Sequence, residues 1–114
     1  MNLFIKEDFI SHAGLPLTWK VECDALTEKD YEALAKIVSE KLTFCDVKGI
    51  PRGGIPFEKA LKKYCTYNES DPLLICDDVY TTGTSMREVY EEGAIGVVVF
   101  ARNKINDDWI KAIW

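Results

Sequence analysis

One histidine in 114 residues, and no CxxC pair among four cysteines, leave little with which to build a zinc site. Cys23, Cys45, Cys65 and Cys76 sit in or beside apolar, strand-like runs. They read as buried or half-buried thiols of a reducing compartment. No apolar run reaches membrane-spanning length, which argues against a membrane as partner. The opening residues 1–5 are apolar but are soon followed by acids, unlike a secretory leader, so a cytoplasmic location is expected. Basic clusters are scarce as well. The formal net charge is -5, and Lys59, Lys62 and Lys63 form the one local basic group, which reads as a solvated helix face. Nucleic acid is therefore not an expected partner, because phosphate-backbone binding needs clustered cations. With no Gly/Ser/Pro linker and no internal repeat, residues 1–114 are expected to form one domain.

What is present has a clear order. Residues 17–23 alternate with period two, and residues 13–16 (Ala-Gly-Leu-Pro) form a turn before them. From Thr27 the period changes: Tyr31, Leu34, Ala35, Val38 and Leu42 share one helical face, with Thr27 as N-cap. A short strand is expected at 46–50, then a helix carrying Phe57, Ala60, Leu61 and Tyr64. A connection at 67–72 follows, with a very short edge strand at 65–67 before it. The remaining elements are a strand at 73–77, a helix from about Ser85 to Glu92, a strand at 95–101 and a short terminal element at 107–114. Ser85 and Glu88 have capping-box spacing, and Gly93 fits a helix stop. Short apolar runs without polar alternation, separated by helices, predict an α/β fold with a mostly parallel sheet covered on both faces, that is, three layers. In such sheets ligands collect at the carboxyl ends of the strands.

Two turns leave those ends. In the first, the apolar run 73–76 meets Asp77 and Asp78, then Thr81, Thr82, Gly83, Thr84 and Ser85. Adjacent carboxylates repel, and a cation or sugar hydroxyl donors would relieve them. Five small polar residues at a helix start exceed the needs of one cap and suit a phosphate. No lysine follows Gly83, so this is not a Walker-type loop. The second turn, Pro51-Arg52-Gly53-Gly54, offers a cation and two residues that allow close approach to the backbone, suiting a second anion such as pyrophosphate.

Residues 76–85 (Cys-Asp-Asp-Val-Tyr-Thr-Thr-Gly-Thr-Ser) resemble the signature of the type I phosphoribosyltransferases, which bind 5-phosphoribosyl 1-pyrophosphate (PRPP). Residues 49–56 look like that family's pyrophosphate loop. Residues 9–14 and 95–102 are similar to parts of orotate phosphoribosyltransferases, and the likeness is strongest to their short phage-type relatives.

The resemblance implies a phosphoribosyltransferase fold with a core at 26–102 and hood or terminal elements at 1–25 and 103–114. It implies Mg2+ as cofactor and transfer of the phosphoribosyl group to a base such as orotate. Asp77 and Asp78 would be the catalytic and metal-binding pair, and Thr81, Thr82, Gly83, Thr84 and Ser85 the phosphate site. Arg52, Gly53 and Gly54 would hold pyrophosphate, with Arg102 and Tyr80 at the base. Tyr80 is equally open to packing under the loop, and Trp109 reads first as hydrophobic cover, with the base site as its alternative from the terminal segment. A homodimer is implied too, with Trp19 and Phe57 expected at the surface.

Two departures stand out. Full-length relatives carry a long basic lid loop, whereas residues 66–72 here contain no basic residue. His12 stands where the family has a lysine. The fold is thus expected in a reduced form, and a non-catalytic PRPP- or nucleotide-binding module is the alternative.

Overall fold

The computed structural model describes residues 26–114. The readings that concern residues 9–14 and 17–23, His12, Trp19 and Cys23 lie outside them. Helix α1 (Glu28–Lys41) starts where the sequence places it. The Thr27 hydroxyl accepts from the Asp30 amide at 3.2 Å, and the Asp30 carboxylate accepts from the Thr27 amide at 2.8 Å. This reciprocal capping box satisfies two amides that have no partner inside the helix. Strand β1 (Asp46–Gly49) follows, then α2 (Ile55–Leu61) with a 3-10 turn (Lys62–Tyr64), β2 (Leu73–Tyr80), α3 (Thr84–Glu88), β3 (Ile95–Ala101) and β4 (Ile110–Ala112).

These strands form a four-stranded parallel sheet in the order β1-β2-β3-β4, so the protein is a small α/β domain. Alternate residues of the strands enter two cores. Leu74, Cys76, Val97 and Val99 join Tyr31, Leu34, Ala35 and Val38 of α1 and Phe57 and Leu61 of α2. Ile75 and Val98 join Met86 of α3, with Tyr80, Ile110 and Ala112. The period-two alternation of a strand puts these cores on opposite faces. The three layers expected from unbroken apolar runs are present.

The two helices that follow β1 and β2 thus cover different faces, although both crossovers join strands adjacent in the sheet. After α2 the chain ties to the segment just before β1, where the Thr66 amide donates to Phe44 O at 3.0 Å and the Tyr67 amide to Cys45 O at 2.9 Å, and then enters β2. The edge strand expected at 65–67 is reduced to these two bonds, without a strand.

Four expectations are corrected. The strand expected at 73–77 runs on to Tyr80, because Val79 and Tyr80 continue the ladder against Phe100 and Ala101. The helix expected at 85–92 spans only Thr84–Glu88, and the chain turns through Gly93 (φ 87°) to bury Ala94 and enter β3. Residues 103–114, read as a hood or terminal element, supply an edge strand, and Ile110, Ala112, Ile113 and Trp114 are buried. Phe57, expected at a surface, is fully buried and stacks near Tyr31 with ring centroids 5.8 Å apart. The helical period carries it inward with Leu61. Cys76 is buried and Cys45 and Cys65 are half-buried, as the sequence indicates, and all three thiols are free.

Phe57→Ala is expected to lower unfolding free energy by about 3–5 kcal/mol. Urea unfolding should show this loss at every protein concentration. A loss that appears only at concentrations where subunits associate would put Phe57 back at an interface.

Candidate functional site

Both turns singled out in the sequence lie at the carboxyl ends of neighbouring strands. Residues 51–54 leave β1, and residues 81–83 leave β2. The first turn folds tightly against β2: the Ile50 amide donates to Cys76 O at 2.9 Å and the Gly54 amide to Ile50 O at 2.7 Å. Gly53 packs on the acid pair, for a Cβ placed there would lie 2.5 Å from Asp78 Oδ2. Only hydrogen fits in that gap. The glycine turn and the carboxylates therefore meet in one crevice.

The acids sit within β2 rather than beyond its end. Asp77 is paired with Val98 in the ladder, and its Oδ1 accepts from the Asp78 amide at 2.8 Å. Asp78 Oδ1 accepts from the Val79 amide at 2.8 Å. Each carboxylate thus folds onto the next peptide, which brings the pair together despite the strand's alternation. Burial first, and then the hydrogen bond and charge of Asp78, push the Asp77 carboxyl up to about 7, while the Asp78 amide partly offsets the rise. Two acids close enough to share a proton form a donor set that suits a divalent cation completed by water and substrate oxygens. Among the described residues there is no group of three or more His, Cys, Asp or Glu side chains able to hold a metal unaided.

Beside Asp77 lies a cavity of about 90 Å³ walled by Val79 and residues 80–86. Its rim is the hydroxyl loop. Thr81, Thr82, Thr84 and Ser85 are exposed and Gly83 is buried. Thr82 and Thr84 hydroxyl oxygens are 3.0 Å apart. Gly83, at φ 81°, occupies the N-cap position of α3 in the left-handed region, with no side-chain cap. The expected Ser85–Glu88 box does not form, since Ser85 already lies inside the first turn. The Ser85 and Met86 amides donate to no group among the described residues. A ring of hydroxyls and undirected amides around a small cavity can accept a tetrahedral anion.

Arg52 is exposed on its turn, and the Pro51–Arg52 peptide is cis. Arg102 is exposed at the end of β3, its amide donating to Tyr80 O at 2.9 Å. Tyr80 and Trp109 both take the packing role open to them in the sequence. Tyr80 is buried, its ring lies beneath Gly83, and its hydroxyl donates to Asp107 Oδ2 at 2.8 Å while accepting from the Asn106 amide at 3.1 Å. It supports the loop from below and has no face left for a base. Trp109 stacks on Tyr90 at 4.6 Å, and its carbonyl accepts from the Gly96 amide at the start of β3. That is the amino end of the sheet, away from the crevice.

Sequence reasoning passed over Arg87, Asn103 and Asp107. Arg87 Nη1 pairs with Asp107 Oδ2 at 2.8 Å, and Asn103 Nδ2 donates to Thr81 O at 2.7 Å. These contacts span 20 and 22 residues, and no local pattern marks them.

No family model matches the chain, and no curated protein matches it in sequence.

Asp77 gives a signed pH dependence. Its folded carboxyl keeps a proton up to about 7, whereas the unfolded one loses it near 3.8. Between those values the folded state holds more protons, so stability falls as pH rises across the window. Asp77→Asn removes this penalty. Once discounted for partial solvent screening, the variant is expected to exceed the parent by about 1 kcal/mol near pH 8 and to match it near pH 4, by urea titration. Gly53→Ala should displace the Asp78 carboxylate and cost about 1–3 kcal/mol in the same assay.

Proposed function

We propose that the protein is a reduced type I phosphoribosyltransferase-like domain. It binds PRPP with Mg2+ and transfers the phosphoribosyl group to a nitrogenous base, orotate being the acceptor the resemblance names. The observation that carries this reading is the packing of Gly53 on Asp78. It supports the reading because it brings the glycine turn against the acid pair, and the hydroxyl loop continues from the same strand.

In this reading Thr81, Thr82, Gly83, Thr84 and Ser85 take the 5'-phosphate through hydroxyls and amides. Asp77 and Asp78 accept from the ribose hydroxyls, and Arg52, Gly53 and Gly54 hold the pyrophosphate. Arg102 is available to an acidic base. Asp77 and Asp78, together with the substrate's own oxygens, would hold Mg2+, which would supply positive charge to the pyrophosphate. A ring nitrogen of the base donates its lone pair to the anomeric carbon as the bond to pyrophosphate breaks, and the nitrogen's proton passes to solvent. The fixed amides and hydroxyls of the loop hold the sugar still while charge redistributes.

A second reading, a PRPP- or nucleotide-binding module without turnover, has its own support. The connection at 66–72 contains no basic residue and is anchored at Phe44 and Cys45, before β1 begins, at the end of the sheet away from the crevice. It cannot reach over the site as a lid. Without a lid, water is not excluded and no acid is supplied, which can cost a factor of about 10²–10⁴.

PRPP with Mg2+ at a hundredfold excess over Kd should stabilise the protein by about 2.7 kcal/mol, a Tm rise of about 10 °C. Asp78→Asn should lose most of that rise. Incubation with PRPP, Mg2+ and a panel of bases should release pyrophosphate. Binding without release from any base selects the second reading, and no binding at all rejects both.

A further inference from the structure

The hydroxyl loop has few ties of its own. The Arg87 amide donates to Gly83 O at 2.9 Å, the Thr82 and Thr84 hydroxyls meet at 3.0 Å, Thr84 N reaches Thr82 Oγ1 only at 3.5 Å, and α3 has five residues of which Met86 alone is buried. A loop so lightly tied would have to be ordered by its ligand, at a cost in binding. Yet it is held, from outside. The connection between β3 and β4 touches it at two places. Asn103 Nδ2 donates to Thr81 O at 2.7 Å. Further on, Asp107 Oδ2 accepts from both Tyr80 Oη and Arg87 Nη1, each at 2.8 Å. Gly83 is pressed into that cluster: a Cβ on it would lie 2.7 Å from Asp107 Oδ2 and 2.8 Å from Arg87 Nη1 and from Tyr80 Cε2.

The exposures give each member its part. The Asp107 side chain is 11% exposed and the Arg87 side chain 47%. The carboxylate is thus the buried hub, and the guanidinium caps it from the solvent side. Among the described residues Arg87 is the cation nearest to the loop's glycine, and it is paired with Asp107. Resting on the PRPP reading, we infer that Asn103 and the Tyr80–Asp107–Arg87 cluster are positioning residues that pre-form the phosphate loop, with Arg87 serving the loop's shape rather than the phosphate. The connection between β3 and β4 is then part of the phosphate site although it touches no substrate.

The two roles open to Arg87 make opposite forecasts. If it shapes the loop through Asp107, Asp107→Asn weakens phosphate binding. If it is a phosphate ligand restrained by Asp107, the same change frees it and tightens binding.

The test combines 15N relaxation of the unliganded protein with PRPP–Mg2+ titration calorimetry. In the parent, amide order parameters over residues 81–85 should stand near 0.85. In Asp107→Asn, and in Asn103→Ala at an exposed position that cannot endanger the fold, they should fall below about 0.6, while those of β3 stay unchanged. Kd for PRPP should rise about tenfold in both, and Arg87→Lys should retain most of the parent's affinity. Asp46→Asn breaks the remote Asp46–Lys62 ion pair and should change neither quantity. Unchanged loop order in both variants, or tighter PRPP binding by Asp107→Asn, overturns the inference. A parent protein that binds no PRPP sinks the proposed function instead, and the relaxation data then decide the loop's support on their own.

Discussion

Adjacent parallel strands whose following helices cover opposite faces leave a gap at their carboxyl ends that neither helix covers. β1 and β2 are such a pair. α2 packs in one core and α3 in the other. The crevice above their carboxyl ends is the site that this topology leaves open. Everything chemically distinctive in the described residues is gathered around it: the glycine turn, the acid pair, the hydroxyl loop and the exposed Arg52 and Arg102. The opposite end of the sheet carries the anchored connection at 66–72 and the Tyr90–Trp109 stack.

The crevice is electrostatically incomplete by itself. Asp77 is half-buried beside another acid and holds its proton to about 7, whereas among the described residues the cavity is lined by hydroxyls and amides without a positive side chain. Arg87, the described cation nearest to Gly83, is paired with Asp107. A ligand that suits such a place brings negative charge for the amides and a counter-cation for the acids. A sugar phosphate carrying Mg2+ does both, and this complementarity joins the acid pair to the loop in one functional reading.

Particular residues show how far the sequence could be read. Tyr31, Leu34, Ala35 and Val38 marked the buried face of α1, and Thr27 its start, because a helix's period and cap are set within a few residues. The strand at 95–101 was legible because a parallel strand buried on both faces is a nearly unbroken apolar run. Asp77, Asp78 and the loop to Ser85 stood out because their order along the chain is their order in space. Tyr80 stays ambiguous in the sequence for the opposite reason. Its position next to the loop is local, but whether its ring lies above or beneath Gly83 depends on Asn106 and Asp107, which arrive from beyond β3. Ser85 and Glu88 had the spacing of a cap, yet the buried Gly83 took that position because the packed Tyr80 and Asp107 left room for no side chain.

By itself, then, the sequence determined the elements, the parallel sheet and the two chemically marked turns, since these depend on periodicity and on neighbours in the chain. The tertiary structure alone decided that Asp78 lies on Gly53, that residues 110–112 complete the sheet, and that Asp107 and Asn103 support a loop some twenty residues earlier. Such contacts have no local signature, because a hydrogen bond or a close packing between distant segments constrains where two chains cross and leaves the pattern along each of them unchanged.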